Sequence, residues 1–62
     1  MLFGPDLIIN NAVIVEVKAA RALDPVFQRQ LLTYLKILNQ RLGLLMNFGM
    51  ATMRAGIRRI AN

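Results

Sequence analysis

The chain has 62 residues, 56% of them hydrophobic, with eight Lys/Arg against three Asp/Glu, a net charge of +5, and no cysteine or histidine. That excludes a disulfide scaffold and a His/Cys structural zinc site, and it allows one domain at most, which would bury only about 60% of the surface its unfolded form exposes. The hydrophobic fraction is high for so small a unit, so the chain is expected to associate or to belong to a larger fold.

The positive balance favours phosphates or another anionic surface. No apolar run approaches the roughly 18–20 residues of a membrane span. The N-terminus lacks the basic stretch and long apolar core of a signal peptide. A cytoplasmic location, with no membrane partner, is the expectation.

In chain order, Met1–Phe3 are apolar and Gly4-Pro5 marks a turn or strand entry. Asp6–Ile9 reads as a short strand. Asn10-Asn11-Ala12 reads as a hairpin connection, since asparagine tolerates the left-handed conformation. Val13–Ala19 follows as a central strand, β-branched and buried on both faces or nearly so.

Asp24 reads as a helix N-cap and Pro25 as the first helical residue. The helix should run to Leu38 or Asn39, with Phe27, Leu31, Leu35 and Leu38 as its core stripe. Arg29 and Lys36 fall on the solvent side. Gln30 and Tyr34 stand one turn apart at the border of the stripe.

Gln40-Arg41 is a connector and Leu42–Phe48 a second buried strand. Strand, helix, loop and strand make a βαβ unit whose two strands should run parallel. Gly49–Ala55 is expected as a loop with a short helical turn, and Gly56–Asn62 as a last strand with Arg58 and Arg59 on opposite faces.

The central strand carries two opposite charges. Residues two apart share a face, so Val13, Val15 and Val17 lie on one side and Ile14, Glu16 and Lys18 on the other. A two-residue hairpin loop would set Asp6 opposite Val15, whereas a three-residue loop pairs Ile9 with Val13 and Asp6 with Glu16. Only the second register puts both carboxylates on one face.

Asp6, Glu16 and Lys18 are then either a cross-strand ion-pair network or a site. As a site they offer hard oxygen ligands that suit Mg²⁺ or Mn²⁺ with water and phosphate oxygens. Lys18 would hold a phosphate or help to orient a water. Without a metal the two carboxylates repel, and one tends to keep its proton.

These residues carry a resemblance. Pro5-Asp6 followed by Glu16-Val17-Lys18 resembles the PD…(D/E)xK signature of the restriction-endonuclease-like nucleases. Gln30-Leu31-Leu32-Thr33-Tyr34 resembles the QxxxY element of several of their branches. The runs Val13–Ala19, Gln30–Leu35, Leu42–Phe48 and Gly56–Asn62 together resemble the GxxExxR family of small bacterial and archaeal proteins. That family's N-terminal glutamate and arginine have no counterpart here, so the chain resembles the C-terminal half of a member.

The resemblance implies an α/β restriction-endonuclease-like fragment: a β-hairpin, one packed helix, a parallel strand and a terminal strand in a mixed sheet. It implies a single truncated domain over 1–62. Asp6, Glu16 and the Val17 carbonyl would be metal ligands and Lys18 the catalytic lysine, with Gln30 and Tyr34 near the scissile phosphate. Arg54, Arg58 and Arg59 are candidates for contacts with nucleic acid. The expected function is Mg²⁺- or Mn²⁺-dependent hydrolysis of phosphodiesters. The alternative is an inactive module that binds nucleic acid or a protein and self-associates. A homo-oligomer through an exposed apolar sheet face is expected in either case.

Overall fold

The computed structural model describes residues 6–62. The turn expected at Gly4-Pro5 and the proline of the Pro5-Asp6 pair lie outside the described residues. The elements are β1 (Leu7–Ile9), β2 (Val13–Lys18), α1 (Pro25–Ile37), β3 (Leu42–Asn47), α2 (Met53–Gly56) and β4 (Ile57–Ala61). The strands form one four-stranded sheet in the order β1-β2-β3-β4. β1 and β4 pair antiparallel with their neighbours, and the central β2 and β3 run parallel. This is the mixed α/β sheet with one packed helix that the sequence led us to expect.

The hairpin closes through Asn10-Asn11-Ala12. Both asparagines are left-handed, at φ 53° and 54°, and the Ala12 amide donates to the Ile9 carbonyl at 2.9 Å. Ile9 pairs with Val13 and Leu7 with Val15. This three-residue register sets the Asp6 position across from Glu16.

Helix α1 starts where its chemistry dictates. The Asp24 side chain accepts from the Val26 amide at 2.9 Å, and Pro25 fills the first helical position, where no N–H is needed. At the other end Asn39 is left-handed at φ 54°. The Gln40 amide then reaches back to the Leu35 carbonyl at 2.8 Å and the Asn39 amide to Lys36 at 3.3 Å. Those two bonds make a Schellman closure with asparagine in the position glycine usually takes.

α1 covers one sheet face. Leu31 and Leu35 bury fully against Ile14 and Leu45, with Leu23, Phe27, Leu32, Tyr34 and Ile60 packed around them. Gly43 permits the close approach, since a Cβ there would stand 2.9 Å from the Leu31 Cδ1.

Several expectations need correction. β2 is buried on both faces only in its middle: Ile14 and Val15, on opposite faces, are 0% and 3% exposed, whereas Val17 near its end is 43% exposed. Leu38 leaves the core stripe as the helix cap and is 41% exposed. β3 ends at Asn47, so Phe48 turns out to solvent at 53% exposure. Ala19 and Gly56 fall outside the strands assigned to them. No helix among the described residues is long and apolar enough to cross a membrane.

Candidate functional site

The strand directions gather the chemistry at one end of the sheet. β2 and β3 finish there, and β1 and β4 begin there. That end therefore carries Asp6, Glu16, Lys18, Asn47 and the start of β4. Glu16 and Lys18 project on the helix-covered face, in line with Ile14.

The two carboxylates meet through the backbone. The Asp6 amide donates to Glu16 Oε1 at 3.1 Å, and the Val17 amide donates to Asp6 Oδ2 at 2.7 Å. Asp6 thereby caps the β1–β2 ladder. A strand residue's N–H and C=O point to the same side, so the Val17 carbonyl also faces the edge on which Asp6 lies. A carboxylate has about four acceptor sites, so accepting one amide leaves Asp6 with capacity for a further ligand.

Glu16 is 4% exposed. Lys18 Nζ lies 3.4 Å from its Oε2 and 5.0 Å from the centroid of the Phe27 ring. Burial and the neighbouring Asp6 charge push the Glu16 carboxyl above its ordinary range, against the opposing pull of Lys18 and of the Asp6 amide. A like-charged partner and a dry setting are what a cation would offset.

Among the described residues no three His, Cys, Asp or Glu side chains cluster. The donors that would be available to a cation here are the two carboxylates and the Val17 carbonyl, oxygen throughout. Such a set fits a hard divalent ion that keeps waters in its shell.

The other predicted residues lie on α1, α2 and β4. Gln30 and Tyr34 line an open depression of about 340 Å³, with Thr33 and Ile37 as its remaining walls among the described residues. Gln30 is exposed and Tyr34 half-buried against the core. Asp6, Glu16 and Lys18 are not among those walls.

Arg58 sits opposite Leu45 and Arg59 opposite Leu44, on opposite faces. Arg58 already donates to the Ala55 carbonyl at 3.2 Å and the Ile57 carbonyl at 2.8 Å. Arg54 is exposed on α2. Only Arg58 shares the face of Glu16 and Lys18.

Sequence reasoning missed Asn47. It is 1% exposed and sits beside Lys18 in the ladder. Its Oδ1 accepts from the Ala20 amide at 2.8 Å and the Gly49 amide at 3.0 Å, and its Nδ2 donates to the Ala22 carbonyl at 3.1 Å. The side chain clamps the loop that leaves Lys18. A polar residue ending an apolar strand was the one visible signal.

The sequence model of the PD-(D/E)XK nuclease superfamily matches residues 1–60. The chain belongs to the PD-(D/E)XK nuclease superfamily. No curated protein and no solved structure matches it. PD-(D/E)XK nucleases generally use divalent metals, and the all-oxygen donor set described above suits such an ion.

Proposed function

We propose that this PD-(D/E)XK protein is a Mg²⁺- or Mn²⁺-dependent nuclease that hydrolyses phosphodiester bonds in nucleic acid, of the GxxExxR branch. One observation carries the reading. The hairpin register sets Asp6 and Glu16 at opposed positions on neighbouring strands, and Lys18 stands 3.4 Å from Glu16 on the same face.

In this reading Asp6, Glu16 and the Val17 carbonyl hold the metal. When bound, a divalent ion polarises the phosphodiester and lowers the pKa of an attacking water. Lys18 carries a fixed positive charge to the phosphate oxygen on which charge develops. Gln30 and Tyr34 meet the substrate from α1, and Arg54, Arg58 and Arg59 meet phosphates further along it. The charge of +5 draws the substrate in.

The test is cleavage of labelled DNA and RNA with Mg²⁺ or Mn²⁺. The wild-type chain should cut, and Asp6→Asn and Glu16→Gln should each lose roughly a hundredfold or more in rate while still folding, the scale of deleting one group that stabilises the transition state. Cleavage that survives both substitutions, or that ignores chelator, overturns the reading. Salt-sensitive binding without cleavage would favour the inactive nucleic-acid-binding module instead.

A further inference from the structure

Lys18 is held from two sides. Glu16 Oε2 lies 3.4 Å from its Nζ, and the Phe27 ring centroid lies 5.0 Å away. We propose that Phe27 is a positioning residue of this site, its ring fixing the Lys18 ammonium where a phosphate oxygen would meet it. The inference rests on the reading of Lys18 as the substrate-facing lysine.

Four carbons carry the ammonium, and holding them still costs rotamer freedom. The Lys18 side chain is 25% exposed, so the head could swing to water. Glu16 alone is an incomplete restraint, because a carboxylate that binds a divalent ion is drawn away from its lysine.

An aromatic face attracts a cation through its quadrupole within about 6 Å. It carries no net charge for a divalent ion to claim and no acceptor to take the proton. The ring therefore keeps its hold when Glu16 turns to another partner.

Phe27 is placed for this by local chemistry. It is the third helical residue after the Asp24 cap, and its amide donates to the Asp24 carbonyl at 2.9 Å. The loop between Lys18 and that cap is clamped by Asn47 through Ala20 and Ala22. The backbone segments that carry the ring and the ammonium are thus fixed at both ends of the connection. Phe27 also packs against the core, so its substitution must be read with a signal that packing alone would not move.

The chain contains two lysines, Lys18 and Lys36, and Lys36 lies exposed in the last turn of α1. Lys36 is an internal reference for NMR. In the wild-type protein the Lys18 ε-methylene protons should be shifted upfield of those of Lys36 by the ring current and show cross-peaks to the Phe27 ring.

Phe27→Leu should bring the two lysines into coincidence and lower kcat by roughly tenfold with KM little changed, the scale of losing one cation–π contact. Phe27→Tyr should restore both signals. A wild-type Lys18 that resonates with Lys36 and shows no cross-peak overturns the inference, whatever the variants do. So does a folded Phe27→Leu protein whose kcat matches that of Phe27→Tyr. A wild-type chain that shows the ring shift and cross-peaks yet cleaves nothing supports the placement of Lys18 and overturns the nuclease reading instead.

Discussion

Glu16 is the residue on which the site depends. It is a carboxylate 4% exposed beside a second carboxylate, and burial and Asp6 together raise its pKa above the ordinary value of 4.5. Its folded state therefore holds a proton more tightly than the unfolded chain does. Stability should fall as pH rises from about 4.5 through the raised pKa, because the unfolded state then binds fewer protons than the native one. Thermal melts across that window should show the decline in wild-type protein and a flatter profile in Glu16→Gln. A wild-type stability that rises over the same window contradicts the assignment. Added Mn²⁺ should reverse the decline, since it binds the charged form.

Two further residues show why part of the site could not be read locally. Asn47 lies in an apolar run, and its partners Ala20 and Ala22 are 27 and 25 residues distant. Beyond its place at the end of an apolar strand, nothing near it in sequence announces those two partners. Val17 belongs to a β-branched run that looks the same whether one or both sheet faces are covered, and the structure leaves it 43% exposed.

At the scale of elements, the local signals were sound wherever chemistry and geometry coincide. Asp24 and Pro25 start α1. Asn10 and Asn11, both left-handed, close the hairpin in the register that unites Asp6 with Glu16. The parallel pairing of β2 and β3 follows from the strand–helix–strand order. Leu38 misled because its heptad-like spacing outlasts the helix, which the left-handed Asn39 ends one residue later.

The seating of α1 on β3 depends on Gly43, where a Cβ would come within 2.9 Å of the fully buried Leu31. Gly43→Ala should therefore destabilise the fold by about 1–3 kcal/mol, the usual scale of overpacking. The denaturant midpoint measures it. An unchanged or raised midpoint would mean that Leu31 yields without cost and that the helix seat is looser than the contact implies.

For the whole molecule, α1 packs on one sheet face only; on the other, Val15 is buried at 3% exposure but much of the apolar surface is not. Leu7, Ile9, Val17 and Ile57 stand there at 53%, 44%, 43% and 37% exposure, in a chain that is 56% hydrophobic. Exposed apolar surface of this kind favours association. Sedimentation velocity should show the chain gaining mass with concentration and Val17→Lys suppressing the gain. A wild-type monomer at every concentration contradicts that expectation. The site lies on the other face, so the association is expected to leave the Asp6–Glu16 end open to substrate.

On the proposed reading, this end of the sheet holds a divalent metal between Asp6, Glu16 and the Val17 carbonyl. A crystal grown with Mn²⁺ and measured at the manganese absorption edge tests it directly. An anomalous peak should lie within about 2.0–2.5 Å of oxygens from all three residues. Asp6 and Glu16 turned apart around an empty position, or a peak elsewhere on the chain, would contradict it.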